Sequence, residues 1–218
     1  MSRLTVDIVL PILEKLYPNA GCTLDHTNAF ELLIATILSA QCTDKRVNIV
    51  TKALFAKYQT PQDYIAVSQE ELEQDIFQCG TYRMKAKAIQ ATCQTLIDHF
   101  DSQVPRTMKD MLTLRGVGRK TASVVLGDAY GIHEGIAVDT HVTRVAKRLG
   151  LTRFTEQSKI EKDLMRQTPR KDWSKISHLL IAHGRALCTA RKSPCTDCLD
   201  AYLPAAKRSS HSAKNKRA

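Results

Sequence analysis

No run in this chain is long and apolar enough to span a bilayer, and the N-terminus lacks the basic region, apolar stretch and cleavage site of a secretory signal. A membrane-embedded or exported protein is therefore not expected, and a cytoplasmic one is. No strand pattern of convincing length occurs either, so the expected fold is almost all α. The seven cysteines are odd in number and uneven in placement, with Cys22, Cys42, Cys79 and Cys93 scattered and three more crowded near the end. That distribution argues for reduced thiols or metal ligation over a disulfide framework. The last dozen residues contain no acid.

What is present is a core and an excess of positive charge. The 218 residues are 43% hydrophobic, which is enough for one large or two modest domains and excludes disorder throughout. The 32 Lys and Arg outnumber the 22 Asp and Glu, giving a formal charge of +10. This balance points to a polyanionic partner, although it also fits ribosomal and membrane-surface proteins. Half of that excess lies in Lys207, Arg208, Lys214, Lys216 and Arg217, so the folded body must bind through placed groups rather than bulk charge.

Helical patterns fill the chain. Residues 4–17 have apolar positions at helical spacing interrupted by Pro11, which predicts a short helix with a kink or a late start. Asn28 and Glu31 form an N-cap pair for a helix whose run Phe30 to Leu38 is apolar on nearly every side and belongs in a core. Helices are expected over 44–58, after Thr60-Pro61, after the box Ser68 to Glu71, and over 82–100. Thr107 to Leu112 reads as another, and a further helix runs from about Arg119 to Tyr130 and stops at Gly131. Thr140 to Leu149, 156–167 and roughly 172–187 complete the set, the last carrying Trp173, His178 and His183, whose histidines are assigned to packing or solvent.

Chemistry concentrates in residues 114–141. Gly116 and Gly118 flank the single apolar residue Val117, which lets the backbone take positive φ and turn tightly between two helices with its N–H groups directed outward. A phosphate on those amides would also meet the positive end of the helix beginning at Arg119. Lys120 lies in the first turn of that helix, and a lysine held in a groove beside other cations can have its pKa lowered enough to act as an amine nucleophile. Asp139 reads as the N-cap of the next helix, where amides would keep its carboxylate ionised. Taken by spacing alone, G-x-G followed by an exposed lysine is also an ordinary helical hairpin. His141 could face a phosphate or be a surface histidine without a task.

The longer string L-R-G-V-G-R-K-T-A with V-D-T-H-V about twenty residues on, and L-S-A-Q-C-T-D near residue 41, resembles the helix-hairpin-helix DNA glycosylases of the endonuclease III family over about residues 5–200. The resemblance implies two helical domains with a DNA-binding groove between them. One would be a bundle over 23–133 containing the hairpin; the other would be discontinuous, 1–22 plus 134–204, followed by a basic tail over 205–218. It implies that Lys120 is a Schiff-base nucleophile, Asp139 the catalytic carboxylate, and Gln41 a wedge that fills the gap left by an extruded nucleotide. Gly116, Val117, Gly118, Arg119, His141, Arg191 and Lys192 are the expected DNA contacts. The implied activity is a bifunctional glycosylase and abasic-site lyase acting on double-stranded DNA with an oxidised pyrimidine or abasic site, as a monomer. An adenine glycosylase of the same superfamily normally lacks this lysine and carries an extra C-terminal domain. A DNA-binding module without chemistry is the alternative from another class.

Three departures from the family pattern stand out. Arg115 occupies a place usually held by proline, and Thr81 a place usually held by a leucine wedge, leaving Gln41 or Tyr82 to open the strand. Cys188, Cys195 and Cys198 keep a C-x6-C-x2-C spacing, but the fourth thiolate that would complete a 4Fe-4S site is replaced by Pro204. Three readings compete: a metal-free relic packed by Leu199, Tyr202, Leu203 and Pro204; a cluster completed by Cys22, Asp200 or solvent; or a zinc site. The relic is favoured, and no cofactor is required for the chemistry.

Overall fold

The computed structural model describes residues 4–191 and Leu199. Lys192, Cys195, Cys198, Asp200, Tyr202, Leu203, Pro204 and the basic tail lie outside the described residues. Eleven α-helices occur among the described residues, in the order α1 (Val6–Leu16), α2 (Ala29–Leu38), α3 (Asp44–Lys57), α4 (Pro61–Ala66), α5 (Gln69–Ile76), α6 (Tyr82–Phe100), α7 (Met108–Met111), α8 (Arg119–Tyr130), α9 (Thr140–Arg148), α10 (Gln157–Gln167) and α11 (Trp173–Ala186), with no strand. None is long and apolar enough to cross a membrane. The chain divides into two units, 22–134 and 1–21 with 135–218. Each has its own hydrophobic core.

In the unit 22–134, α2 is the centre. Every residue from Leu32 to Leu38 is buried, as a helix apolar on all sides requires, and α6 and α8 pack against it. Asn28 accepts from the Glu31 amide, but the Glu31 carboxylate reaches one residue past the cap, accepting from Thr27 N–H and its hydroxyl. Thr60 and Asp63 form a complete capping box ahead of α4. Ser68 accepts from the Glu71 amide, but the Glu71 carboxylate pairs with Lys57 instead of closing a box.

In the other unit α1, α9, α10 and α11 surround Leu13, Val142, Val145, Ile160, Ile176 and Leu180. The expected kink or late start of α1 gives way to a helix that begins at Val6 and passes unbroken through Pro11. Pro11 and Asp7 are both exposed, so solvent can serve the Asp7 carbonyl that the proline leaves without a donor. His183 is buried, bonded at 3.0 Å to the Tyr17 hydroxyl, and so is a packing histidine as expected. Ile136, Ala137 and Val138 are buried on the approach to α9, and Ser177 donates to the Ala137 carbonyl at 2.6 Å.

Candidate nucleic-acid interface and catalytic residues

The hairpin is built from a shorter first helix than the sequence suggested. Instead of Thr107 to Leu112, α7 is the single turn Met108–Met111, capped by Thr107 through the Asp110 amide. A second tight turn follows at once, because the Val117 amide donates to the Leu114 carbonyl at 3.2 Å. The expectation that all amides of the turn face outward is therefore corrected for Val117, whose N–H is used internally and whose side chain is buried.

The two glycines also differ. Gly116 has φ +80°, and a Cβ there would stand 3.0 Å from the Ala88 Cβ, so both the backbone and the space require glycine. Gly118 does not take the positive φ expected of it: φ is −94° and ψ 173°, ordinary extended backbone, and a Cβ would meet nothing within 4 Å. What Gly118 contributes is the lack of a side chain. It is the N-cap of α8 and makes no side-chain cap bond. The start of α8 is thus an uncapped, partially positive helix end beside exposed backbone.

Lys120 is exposed one residue into α8, and among the described residues no hydrogen bond or ion pair ties its ammonium down. Arg119, next to it, is exposed and donates to the Glu134 carbonyl at 3.4 Å. A group that sequence reading did not connect with Lys120 is Cys22. Burial pushes the Cys22 thiol up to about 11; a backbone hydrogen bond with Leu24 opposes that rise, the Asp128 and Asp44 carboxylates add to it, and the Lys120 ammonium opposes it. These groups therefore share one electrostatic neighbourhood. The linking signal is tertiary, since Cys22, Asp44, Lys120 and Asp128 have no common motif.

Three further turns of this unit carry left-handed non-glycine residues, one of them Asp101-Ser102 at the end of α6. Gln41 has φ 53° and Thr81 φ 42°, and both are exposed. Strain of this kind, and especially a β-branched threonine in that region, persists only where surrounding structure fixes it. Tyr82 is half-buried against the core with the Arg83 guanidinium 4.9 Å from its ring centroid.

In the unit containing α9, Asp139 is the N-cap, with Oδ1 accepting from the Val142 amide at 2.8 Å, and its carboxylate is thereby fixed in direction. His141 is half-buried, with Nδ1 3.1 Å from the Arg144 guanidinium. Its ring also fills the space over Gly184, where a Cβ would lie 3.1 Å from His141 Cβ and Nδ1. Arg144 donates onward to the carbonyls of Gly184 and Cys188, and Arg148 to the carbonyl of Thr189. Arg144, Lys147 and Arg148 line a basic cavity of about 520 Å³ with Thr140, Thr143, Thr155 and Gln157. Arg191 is exposed at the end of this segment.

For a metal, the described residues offer little. Cys188 is buried, with the Arg148 guanidinium 3.4 Å from its Sγ, and no group of three or more potential ligands occurs among the described residues. Cys22, an outside candidate for the fourth ligand, is held as a thiol by burial and donates toward the Leu24 carbonyl. With Pro204 at the fourth position, the C-x6-C-x2-C segment by itself supplies only three of the four thiolates such a cluster takes.

Comparison with known proteins agrees with this picture. The model of the HhH-GPD superfamily base excision DNA repair protein family matches residues 34–170. Endonuclease III of Synechocystis sp. (strain ATCC 27184 / PCC 6803 / Kazusa) is 50% identical over 195 residues, 89% of each chain. Endonuclease III of Bacillus subtilis (strain 168) is 48% identical over 194 residues, 88% of each chain. A solved non-covalent endonuclease III–DNA complex superposes with a TM-score of 0.85 at 50% identity, covering 91% of this chain and 92% of the other. A trapped endonuclease III–DNA covalent intermediate gives 0.84 at 51% identity, covering 89% and 93%.

Proposed function

The chain belongs to the endonuclease III family of the HhH-GPD superfamily, and from that premise we propose that Lys120 and Asp139 are the residues that carry its reaction. The protein is a bifunctional DNA glycosylase and abasic-site lyase of base excision repair. The observation that carries the residue assignment is the state of Lys120: an exposed amine with no partner among the described residues, in the first turn of an uncapped helix beside a glycine turn. A lysine with a structural task would be paired or packed.

In the proposed sequence of steps a damaged pyrimidine is turned out of duplex DNA, and the fixed Asp139 carboxylate stabilises positive charge developing on the deoxyribose. The Lys120 amine attacks C1′ as the C1′–N bond breaks, and the base leaves with the electron pair and takes up a proton. Ring opening gives an imine between Lys120 and C1′. Loss of a C2′ proton then expels the 3′ phosphate by β-elimination, and hydrolysis of the imine frees the lysine. Amides at the start of α8, with Arg119, would hold a backbone phosphate. Gln41 would fill the vacated space, because Thr81 is small and Tyr82 is partly engaged by the core. His141, Arg191 and Lys192 are proposed as contacts to the same DNA.

Oxidised pyrimidines and abasic sites in double-stranded DNA are the proposed substrates, with the protein a monomer in the cytoplasm. The family usually carries a 4Fe-4S cluster; for this chain we propose that none is held by four protein thiolates and that the chemistry proceeds without one. Borohydride reduction in the presence of abasic DNA tests the central claim. Wild type should be trapped as a covalent adduct and Lys120→Ala should not; equal trapping of both would remove Lys120 from the mechanism. Iron analysis of anaerobically purified protein tests the second claim, with stoichiometric iron and sulfide overturning it.

A further inference from the structure

Lys85 is a charged side chain that the reaction does not use, yet it is only 5% exposed. Its ammonium donates to the Leu38 carbonyl at 2.8 Å and to the Cys79 carbonyl at 2.5 Å. Leu38 is the last residue of α2, and Cys79 the last of the short 3-10 turn Phe77–Cys79. One cation therefore closes two helix ends that are 41 residues apart in sequence, at the negative pole of each. Directly after those ends come two of the unit's strained turns, Ser39-Ala40-Gln41 and Gly80-Thr81.

The arrangement is costly for mere packing. Burial pulls the Lys85 amine below its ordinary pKa, opposed by the Cys42 and Cys79 sulfurs. No carboxylate among the described residues pairs with it, so the charge rests on two carbonyl dipoles. Ala88 and Thr92 lie three and seven residues farther along α6, on the same face. Ala88 is the atom group that a Cβ on Gly116 would strike, and Thr92 donates to the Arg115 carbonyl at 2.7 Å. A single stripe of α6 thus touches the residues that lead into these two strained turns and the turn of the hairpin.

We propose that Lys85 is a positioning residue for base extrusion: by holding the carbonyls of Leu38 and Cys79 it fixes the Gln41 and Thr81 turns relative to each other, so that they enter the duplex together. Ala88 and Thr92 extend the same alignment to the hairpin. The role rests on the wedge and nucleophile assignments above and goes beyond them by naming what sets the wedge in place.

The test separates extrusion from chemistry. Lys85→Met, of similar length but without donors or charge, is compared with wild type on duplex DNA carrying one ring-saturated thymine and on a single-stranded abasic oligonucleotide, which needs no wedge. The expected result is a fall of about tenfold or more on the duplex, with loss of the fluorescence rise of a 2-aminopurine beside the lesion, and borohydride trapping on the single strand within about twofold of wild type. Equal falls on both substrates, or no fall on either, would overturn the role, since a merely structural lysine affects both alike. Should the methionine variant not fold, Lys85→Gln, which keeps two N–H donors but no charge, supplies the same ratio. If wild type traps neither substrate, the nucleophile assignment fails and this inference goes with it; if wild type traps normally and the ratio is unchanged, only the inference fails.

Discussion

Two helix starts, α8 in one unit and α9 in the other, meet the same physical problem and answer it in opposite ways. Each leaves its first amides without intrahelical acceptors. At α9 the Asp139 side chain closes the end by accepting from the Val142 amide at 2.8 Å. At α8 the N-cap is Gly118, which has no side chain to offer. The closed end fixes a carboxylate in direction; the open end leaves its partial positive pole without a side-chain acceptor of its own, with Lys120 two residues on. Under the proposed assignment, a cap that would ordinarily be a stabilising detail is the difference between a site that brings its own anion and a site that waits for one.

Asp139→Asn is the sharpest way to break this contrast. The amide oxygen can still accept from Val142, so the fold should be retained, while the charge is lost; excision should fall by about 10²–10³-fold with melting nearly unchanged. Single-turnover kinetics beside a thermal melt checks both halves, and an active neutral variant would remove Asp139 from the charge-stabilising role.

Gly116→Ala attacks the open end through its turn. The left-handed φ and the 3.0 Å approach to Ala88 together predict a loss of about 2 kcal/mol, measured by denaturant unfolding. Gly118→Ser makes the two ends alike. Its backbone is extended and its surroundings are empty, so the serine should cap α8 and stabilise by a few tenths of a kcal/mol, about 0.3. DNA affinity, read by a salt titration, should weaken by several-fold, about threefold. Stabilisation without any loss of affinity would show that the open end is not the anion site.

The smallest expected effect is a pH dependence confined to the unit containing α9. Burial lowers the His183 pKa below its ordinary value. The folded state therefore favours the neutral ring, and the stability linked to it is fully present above the unfolded pKa of about 6.5 and lost as pH falls through the lower folded value. Urea midpoints at pH 7.5 and 5.5 should differ by less in His183→Gln than in wild type.

Much of this was legible in the chain itself. Asn28, Thr60, Thr107 and Asp139 announce helix starts because a short polar side chain before an apolar run has one efficient use, and all four accept from the amide three residues on. The stop at Gly131 was equally plain, and it takes φ +65°. The stretch from Leu114 to His141 carries enough specific residues to indicate its chemistry. Less legible was the detail of each turn: Gly118 looked like a second left-handed glycine, and Pro11 looked like a helix breaker.

Local pattern thus determined where most of the helices lie and which family the chain belongs to, because caps, periodicity and motif spacing act over a few residues. Only tertiary structure decided that Gly116 must lack a Cβ while Gly118 merely lacks a cap, that Cys22 lies within electrostatic reach of Lys120, and that Lys85 is buried between two carbonyls. The interactions of Gly116 with Ala88, of Cys22 with Lys120 and of Lys85 with Leu38 each join residues more than two dozen positions apart. Burial and distance are properties of the packed chain, and a lysine in sequence looks the same whether it meets water or two helix ends.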